Sequence, residues 1–374
     1  MRQTLMVLLF TLPFFAACTK KNTNEIVIGH FGSMTGSEAT FGQSTDEGIR
    51  LAVDEANATG GIKGKKIKLI TMDDQGKPEE AASVVTRLIE QEKVVAILGE
   101  VASSRSLAAA PIAQAKKIPM MTPSSTNPKV TQVGDYIFRA CFIDPFQGTV
   151  MAKFATDTLK AKKVAVLRDV KSDYSVGLAD FFIQKFKELG GEIVADLSYQ
   201  SQDVDFKAQL TQMKSKNPDA IYIPGYYTEV GLIARQTREL GIKATLMGGD
   251  GWDSPKLFEI GKSAVNGGYF SNHYSTESKE PAAIDFMAKF KEKYKRQPDG
   301  LSSVAYDATK MLLKAIENTT EITPTNIRDQ LAKIKEFVGA TGKISIDENR
   351  NAVKSAVVVK VQGNENKYVT TVNP

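Results

Sequence analysis

Two apolar runs that each end in a hydroxyl-rich loop constrain this chain more than any other feature. Residues 94–98 (VVAIL) have the length and branched side chains of a buried strand, and residues 118–121 (IPMM) predict a second strand. The alanine-rich residues 106–115 between them favour a helix, which Pro111 is expected to end or kink. Strands joined in this way run parallel, and ligands bind at the carboxyl ends of such strands.

The two loops carry groups suited to a small anion. Hydroxyls, together with the free amide groups at the start of a helix, bind carboxylates well. The same hydroxyls are equally consistent with helix capping alone. The candidates are Ser103, Ser104, Ser124, Ser125 and Thr126.

The rest of the chain repeats the order of strand and helix, which predicts an α/β fold with parallel sheets covered by helices on both faces. A pause at residues 141–147 separates two similar cycles, and 374 residues suit two domains. Local expectations are a loop at residues 173–177, a strand beginning within residues 265–269, and a last strand at residues 357–362.

Composition argues against several classes of function. The net charge is +5 with basic and acidic residues interleaved, so we expect no nucleic-acid partner. The two histidines and two cysteines lie far apart, and Asp73-Asp74 has no third ligand at a usable spacing. We therefore expect no metal and no cofactor. The chain also lacks the serine-hydrolase, zinc-protease and nucleotide-binding motifs, so we expect no enzyme.

The N-terminus predicts export. Residues 1–17 combine Arg2 with an apolar segment too short for a confident membrane span, which is typical of a signal peptide. Residues 15–18 (FAAC) resemble a lipoprotein cleavage box, so Cys18 is the expected lipidation site; an ordinary secretory peptide is the alternative. Residues 18–24 form a polar tether, and we expect the protein to be anchored by lipid at the periplasmic face or cell surface. Cys141 is expected to be a packed free thiol.

Seven short motifs together point to one family. The mature chain resembles the periplasmic solute-binding proteins of ABC importers for branched-chain amino acids. The motifs are GHFGSMTG (29–36), GGIKGKKIKLITMDD (60–74), ILGEVASS (97–104), MTPSST (121–126), DYSVG (173–177), IPGYYTEVG (223–231) and MGGDGW (247–252).

The resemblance implies a type I periplasmic binding protein: two Rossmann-like lobes with parallel central sheets, joined by a hinge of several crossovers. Lobe 1 would comprise residues 25–143 plus about 273–350, and lobe 2 residues 144–272 plus about 351–374. Such a protein captures an amino acid between its lobes and delivers it to a membrane permease. We expect a monomer that binds a branched-chain or other apolar amino acid.

The resemblance also implies site residues. The loops would meet the ligand carboxylate, Tyr174 would close over the ligand, and Tyr226 would line the side-chain pocket. Asp250 would pair the ammonium, a contact that a carboxylate and an aromatic face make well; Trp252 would form a pocket wall. Tyr174 as a surface tyrosine and Asp250 as a helix cap are the alternatives. The implied binding residues are Ala102, Ser103, Ser124, Ser125, Thr126, Tyr174, Tyr226, Asp250 and Trp252.

Departures from the family pattern leave the ligand's side chain open. Gly76 and Ala102 stand where some relatives carry a cysteine pair, and Phe41 stands where tyrosine is common. Asp250 replaces a longer glutamate, and Arg105 could place a second positive group near the site. A ligand-sensing protein, or a binder of an amide, urea or aromatic carboxylate, is therefore the alternative function.

Overall fold

Two β-sheets organise the protein in the computed structural model, which describes residues 24–374. The predicted signal peptide, Cys18 and all but the last residue of the predicted tether lie outside this range.

The first sheet has five parallel strands in the order β2-β1-β3-β4-β5. They are β1 (Glu25–Gly32), β2 (Lys66–Asp73), β3 (Ala96–Leu98), β4 (Met120–Thr122) and β5 (Ile137–Arg139). Its connecting helices are α1 (Ala39–Ala58), α2 (Pro78–Glu90), α3 (Ser103–Ala115) and α4 (Lys129–Gln132).

A later part of the chain completes this first lobe. The late elements are α10 (Pro281–Tyr294), α11 (Gly300–Asn318), α12 (Pro324–Leu331) and a small antiparallel sheet of β11 (Phe337–Gly339), β12 (Gly342–Ile346) and β13 (Ala352–Val353). Helix α11 packs along α1, and apolar side chains of α11 and α12 share one core with β1 and β3. Helices α2 and α3 bury a second core on the other face of the sheet.

The second sheet has seven strands in the order β15-β14-β10-β9-β8-β6-β7. The strands are β6 (Lys163–Asp169), β7 (Glu192–Tyr199), β8 (Ala220–Ile223), β9 (Thr245–Gly248), β10 (Tyr269–Asn272), β14 (Ala356–Gln362) and β15 (Glu365–Val372). The helices are α5 (Asp144–Lys153), α6 (Asp173–Glu188), α7 (Lys207–Lys214), α8 (Tyr227–Glu239) and α9 (Pro255–Gly261).

This is the predicted α/β class of two lobes with parallel central sheets, to which β14 and β15 add an antiparallel edge. The chain passes between the sheets three times: between β5 and α5, between β10 and α10, and between β13 and β14.

The expectation of a loop at residues 173–177 is wrong, because these residues form the first turn of α6. The hydroxyl of Ser172 accepts a hydrogen bond from the Ser175 amide at 3.2 Å and starts the helix. Gly177 lies inside this turn, where a Cβ would come within 2.9 Å of the Asn127 side chain. The glycine therefore marks a close approach of the two lobes and does not mark a loop.

The structure also refines or corrects three further expectations. Pro111 does not end α3, which continues to Ala115; the missing N–H of Pro111 leaves the carbonyl of Leu107, four residues earlier, without its helical donor, and Pro111 itself is exposed. The strand expected to begin within residues 265–269 begins at the last of them, Tyr269, while Val265 ends a 3-10 turn that starts at Lys262. The chain also continues past β14 into β15, an edge strand whose largely polar sequence carries no apolar pattern. Hydrogen bonds to β14, and not burial, define that strand.

A buried carboxylate ties α11 to the small antiparallel sheet. Asp307 accepts hydrogen bonds from the amides of Ala340 at 2.7 Å and Thr341 at 2.8 Å, and from the Thr341 hydroxyl at 2.7 Å. Without it, two buried amides would have no acceptor, so we expect Asp307→Ala to lower the free energy of unfolding by about 3 kcal/mol in urea denaturation.

Asp285→Ala is the matched control, because Asp285 lies on an exposed face of α10 and, within residues 24–374, forms an ion pair only with Lys289 at 2.6 Å. Its effect should stay below about 0.5 kcal/mol. Equal effects of the two substitutions would contradict a structural role for Asp307.

Candidate functional site

A small cavity, partly open to solvent, lies where the two sheets meet and contains about 220 Å³ of empty space. Each lobe supplies half of its wall from the ends of strands and the starts of helices. The lining residues are Phe41, Val101, Ser124 and Leu301 from the first lobe and Tyr174, Tyr226, Asp250 and Gly251 from the second.

Ser124 is the one predicted loop residue that lines the cavity. Ser103 and Thr126 do not line it; they follow the lining residues Val101 and Ser124 by two positions each. Helix α3 begins at Ser103, and no side chain caps its first turn. The hydroxyls of Ser124 and Thr126 are buried and lack a hydrogen-bond partner among the described residues. Uncapped amides and unpaired hydroxyls suit a carboxylate.

The other predicted residues of these loops hold the loops in place. The Ser125 hydroxyl lies 2.7 Å from that of Ser106 and 2.9 Å from the carbonyl of Glu100. The Ser103 hydroxyl accepts from the Asn127 amide at 3.2 Å, and the amide of Ala102 donates to the Glu100 carboxylate. These bonds fix the loop after β3 against the loop after β4.

Arg105 is not a second positive group free to meet the ligand. Its guanidinium is buried and pairs with Glu38 at 2.6 Å and Glu100 at 3.0 Å. Burial and the neighbouring Glu100 raise the pKa of Asp74 to about 7, although Arg105 acts in the opposite direction. Arg105 is therefore engaged by two carboxylates inside the first lobe, and this cluster positions the start of α3.

The opposite side of the cavity presents a buried carboxylate. Asp250 accepts a hydrogen bond from the Tyr174 hydroxyl at 3.0 Å on Oδ1, and its Oδ2 lies 3.0 Å from His273 Nε2. Burial and the charge of Asp250 raise the pKa of Tyr174 well above its usual value, so the phenol stays a neutral donor. Gly249 allows this contact, since a Cβ there would lie 2.5 Å from the Tyr174 hydroxyl.

Neither alternative interpretation of these two residues agrees with the structure. Tyr174 is 3% exposed and therefore is not a surface tyrosine. The Asp250 carboxylate bonds to the side chains of Tyr174 and His273, and no side-chain cap is formed at its turn.

Aromatic and aliphatic groups form the walls between these two ends. The ring of Tyr226 stacks on Tyr174 with centroids 5.3 Å apart and planes at 4°, and it meets Phe41 edge-on at 5.4 Å. Val101 and Leu301 add apolar surface. The sequence did not identify these two, because a single aliphatic residue next to a loop carries no signal of its own.

Trp252 does not line the cavity, which corrects the expectation of a pocket wall. Its side chain is fully buried in the core of the second lobe, packed against Phe270 and the backbone of Gly248. The indole Nε1 donates to the carbonyl of Ile223 at 2.9 Å. Trp252 ends the 3-10 turn that begins at Asp250, and its side chain points away from the cavity.

The lobes contact each other around the cavity. The Ser104 hydroxyl donates to the Asp173 carboxylate at 2.8 Å, and the Asn127 amide group donates to the Asp173 carbonyl at 2.8 Å. On the far side, the hydroxyls of Thr40 and Ser254 lie 2.9 Å apart. The structure is therefore a closed form in which both lobes enclose the same small volume.

Asp144 is a second buried carboxylate near this site. Burial, with repulsion from Asp250, raises its pKa from 3.8 to about 8, and the neighbouring Thr126 opposes this shift. The folded protein therefore holds a proton on Asp144 at pH values where the unfolded chain has lost it.

Residues 24–374 contain no group of three or more His, Cys, Asp and Glu side chains arranged to hold a metal ion. Within the same range, no helix combines the length and the apolar character needed to cross a membrane. Cys141 is buried and unpaired, and burial raises the pKa of its thiol to about 12.

Comparison with known proteins confirms the resemblance. The sequence profile of the periplasmic binding protein family matches residues 25–366. An amino acid binding protein of Pseudomonas aeruginosa is 32% identical over 348 residues and covers 92% of this chain and 92% of its own length.

Two crystal structures are similar over nearly the whole chain. The leucine binding protein LivK of Thermotoga maritima is 45% identical, with a TM-score of 0.90 over 93% of this chain and 99% of its own. LivJ of Streptococcus pneumoniae, a branched-chain amino acid transporter substrate binding protein in complex with isoleucine, is 36% identical. Its TM-score is 0.89 over 94% of this chain and 100% of its own.

Asp144 makes stability depend on pH. A carboxyl group whose pKa is higher in the folded state stabilises that state at low pH, and this contribution is lost as pH rises from about 4 to about 8. Asp144→Asn keeps the neutral form at every pH. We therefore expect the melting temperature of Asp144→Asn, relative to wild type, to rise between pH 5 and pH 8 in calorimetry without ligand.

Asp157→Asn is the control, because Asp157 is exposed at the end of the helical segment that follows α5. Its melting temperature relative to wild type should not change with pH. The same result for Asp144→Asn would contradict a buried protonated Asp144.

Proposed function

Because the chain belongs to the periplasmic binding protein family, we propose that it captures an amino acid between its two lobes and delivers it to an ABC importer. The observation that carries this proposal is the polarity of the cavity. The Ser124 hydroxyl lies on the first-lobe side, where the uncapped helix α3 begins two residues after the lining residue Val101, and the buried carboxylate of Asp250 lies on the second-lobe side. A zwitterion carries the complementary charges in the same molecule.

The proposed binding residues have distinct roles. The first turn of α3 from Ser103, with Ser124 and Thr126, receives the ligand carboxylate. Asp250, supported by Tyr174, receives the ammonium. Ala102 and Ser125 hold the loops.

The remaining walls favour an apolar ligand side chain. Phe41, Val101, Tyr226 and Leu301 line this part of the cavity, and small-molecule pockets are lined predominantly by hydrophobic and aromatic groups. The leucine binding and isoleucine-bound structures support a branched-chain amino acid. An aromatic carboxylate, an amide or urea would leave the buried charge of Asp250 without a cation, which is costly.

A carrier agrees with the site better than an enzyme. Among the described residues, no hydrogen bond joins a serine of the two loops to a histidine base, and His273 is paired with Asp250 instead. Movement of the lobes, which we place at residues 25–143 plus about 273–350 and 144–272 plus about 351–374, would release the ligand. Such movement requires the three crossovers to bend together.

The family places its members outside the cytoplasm, and we propose that this chain acts there as a lipid-anchored monomer. The cleavage box that ends in Cys18, followed by the polar residues 19–24, supports the anchor. The expected partners are the amino acid, the importer's permease and the membrane.

The ammonium partner can be tested by substitution. Removing one member of a desolvated ion pair costs about 2–5 kcal/mol, so Asp250→Ala should weaken L-leucine binding on the order of a hundredfold or more in isothermal titration. Asp250→Asn keeps an acceptor oxygen and should be intermediate. Ser103→Ala should cost only about 1–2 kcal/mol, because the neighbouring amides remain.

The order of these losses separates the two candidate ligand classes. Normal binding by Asp250→Ala, together with loss of binding in Ser103→Ala, would show that the ligand has no ammonium at that end. An amide or a simple carboxylic acid would then be the better assignment. Circular dichroism of each variant confirms that the fold is retained.

The anchor has its own test. Mass spectrometry of the membrane fraction should find lipid on Cys18 at the start of the mature chain, and Cys18→Ala should release the protein into the soluble fraction. Cys141→Ala is the control and should stay with the membrane, because that thiol is buried within the first lobe. A mature chain that starts at another residue with an unmodified N-terminus would contradict the proposal of a lipid anchor.

A further inference from the structure

His273 stands directly behind the carboxylate proposed to meet the ligand. Its side chain is buried, and Nε2 lies 3.0 Å from Asp250 Oδ2. The other ring nitrogen, Nδ1, is buried without a hydrogen-bond partner among the described residues. A proton on Nδ1 would be a buried unpaired donor, whereas a proton on Nε2 is donated to Asp250, so the geometry favours the Nε2–H tautomer.

His273 lies where all three crossovers between the lobes come together. His273 follows β10 at the second crossover and stacks on Phe142 of the first, with centroids 4.0 Å apart and planes at 30°. Lys354 of the third crossover donates to the His273 carbonyl at 3.4 Å and lies 5.8 Å from the Phe142 ring. The position of the imidazole is therefore set where the hinge segments meet.

The donors around Asp250 leave its charge available. The Tyr174 hydroxyl occupies Oδ1, and the Asp250 amide is fixed separately by Gln147 at 3.0 Å. Burial lowers the pKa of His273, and Lys354 acts in the same direction, while Asp250 opposes both. The two side chains that donate to the Asp250 carboxylate, Tyr174 and His273, are thus neutral. They orient this carboxylate without cancelling its charge.

We propose that His273 is a positioning residue that aims the Asp250 carboxylate at the ammonium of the bound amino acid and acts only as a neutral donor. This inference rests on the proposed function, because it assigns the ammonium to Asp250. It adds that the hinge, through the His273 ring, sets the geometry of the ammonium site. A protonated His273 would itself become the counter-ion of Asp250 and would compete with the ligand.

The charged groups around this pair are few. Asp250 and Lys354 face His273, whereas Phe142 carries no charge. Other titratable groups interact electrostatically with these neighbours and not directly with His273. Asp144 interacts with Asp250, and Cys141 and Asp307 interact with Lys354. All of them persist in variants at position 273, so a difference in pH profile between such a variant and wild type reports on the imidazole.

The test uses L-leucine and isothermal titration of the whole protein. His273→Phe keeps a ring against Phe142 and removes the donor, so the affinity at pH 7.5 should fall about 10- to 100-fold. His273→Gln retains a donor and should recover most of the affinity. In an Asp250→Asn background, His273→Phe should change the affinity by less than about threefold, because the charge through which it acts is gone.

The pH profile is a readout that a purely structural role would not change. As pH falls from 7.5 through the lowered pKa of His273, wild-type affinity should decrease because the imidazole becomes cationic. His273→Gln should lack this component. If thermal unfolding shows that His273→Phe does not fold, the dependence of L-leucine affinity on pH in His273→Gln tests the proposal instead. A pH dependence identical to that of wild type overturns the proposal.

His30→Phe is the matched control, because His30 is also fully buried but bonds to the Leu98 carbonyl at 3.1 Å in the first lobe. It should leave L-leucine affinity unchanged. Equal losses from His273→Phe with and without Asp250→Asn would overturn the positioning role. A wild-type protein that binds no amino acid would instead contradict the proposed function itself.

Discussion

The site depends on two parallel sheets that present the carboxyl ends of their strands to each other. In each lobe, backbone hydrogen bonds in register bring the ends of neighbouring strands to the same edge. The loops after β3 and β4 supply amides and hydroxyls, and the turn after β9 supplies Asp250. Complementary groups meet only because these edges face one another across one cavity.

Electrostatics then divides the cavity into two ends. In the first lobe, Glu38 and Glu100 engage the guanidinium of Arg105, and the residues of this lobe that line the cavity, Phe41, Val101, Ser124 and Leu301, are uncharged. The second lobe keeps one buried carboxylate whose side-chain donors, Tyr174 and His273, are uncharged. A desolvated charge of this kind is stabilised best by a cation that arrives with the ligand, which links closure of the lobes to the identity of what they enclose.

The fold and the loops of the site could be predicted from the sequence because they depend on local patterns. Apolar runs of strand length alternate with helical spacing, and this order alone predicts parallel sheets. The hydroxyls of the two loops mark these loops in the sequence, and the motifs around Tyr174, Tyr226 and Asp250 mark those three residues. Elements without such patterns were missed: β15 is defined by pairing with β14, and the first turn of α6 by a serine cap in a segment that resembled a loop.

The sequence by itself determined the α/β class, the two-lobe organisation and which loops carry polar groups, since periodicity and turn composition are properties of short segments. Only the tertiary structure decided which side chains meet. Trp252 lies two residues from Asp250 yet points into the core, while His273 and Leu301 approach the site from parts of the chain far from the predicted loops. The direction of a side chain depends on the turn that carries it and on the partner that packs against it, and neither is encoded within a short segment.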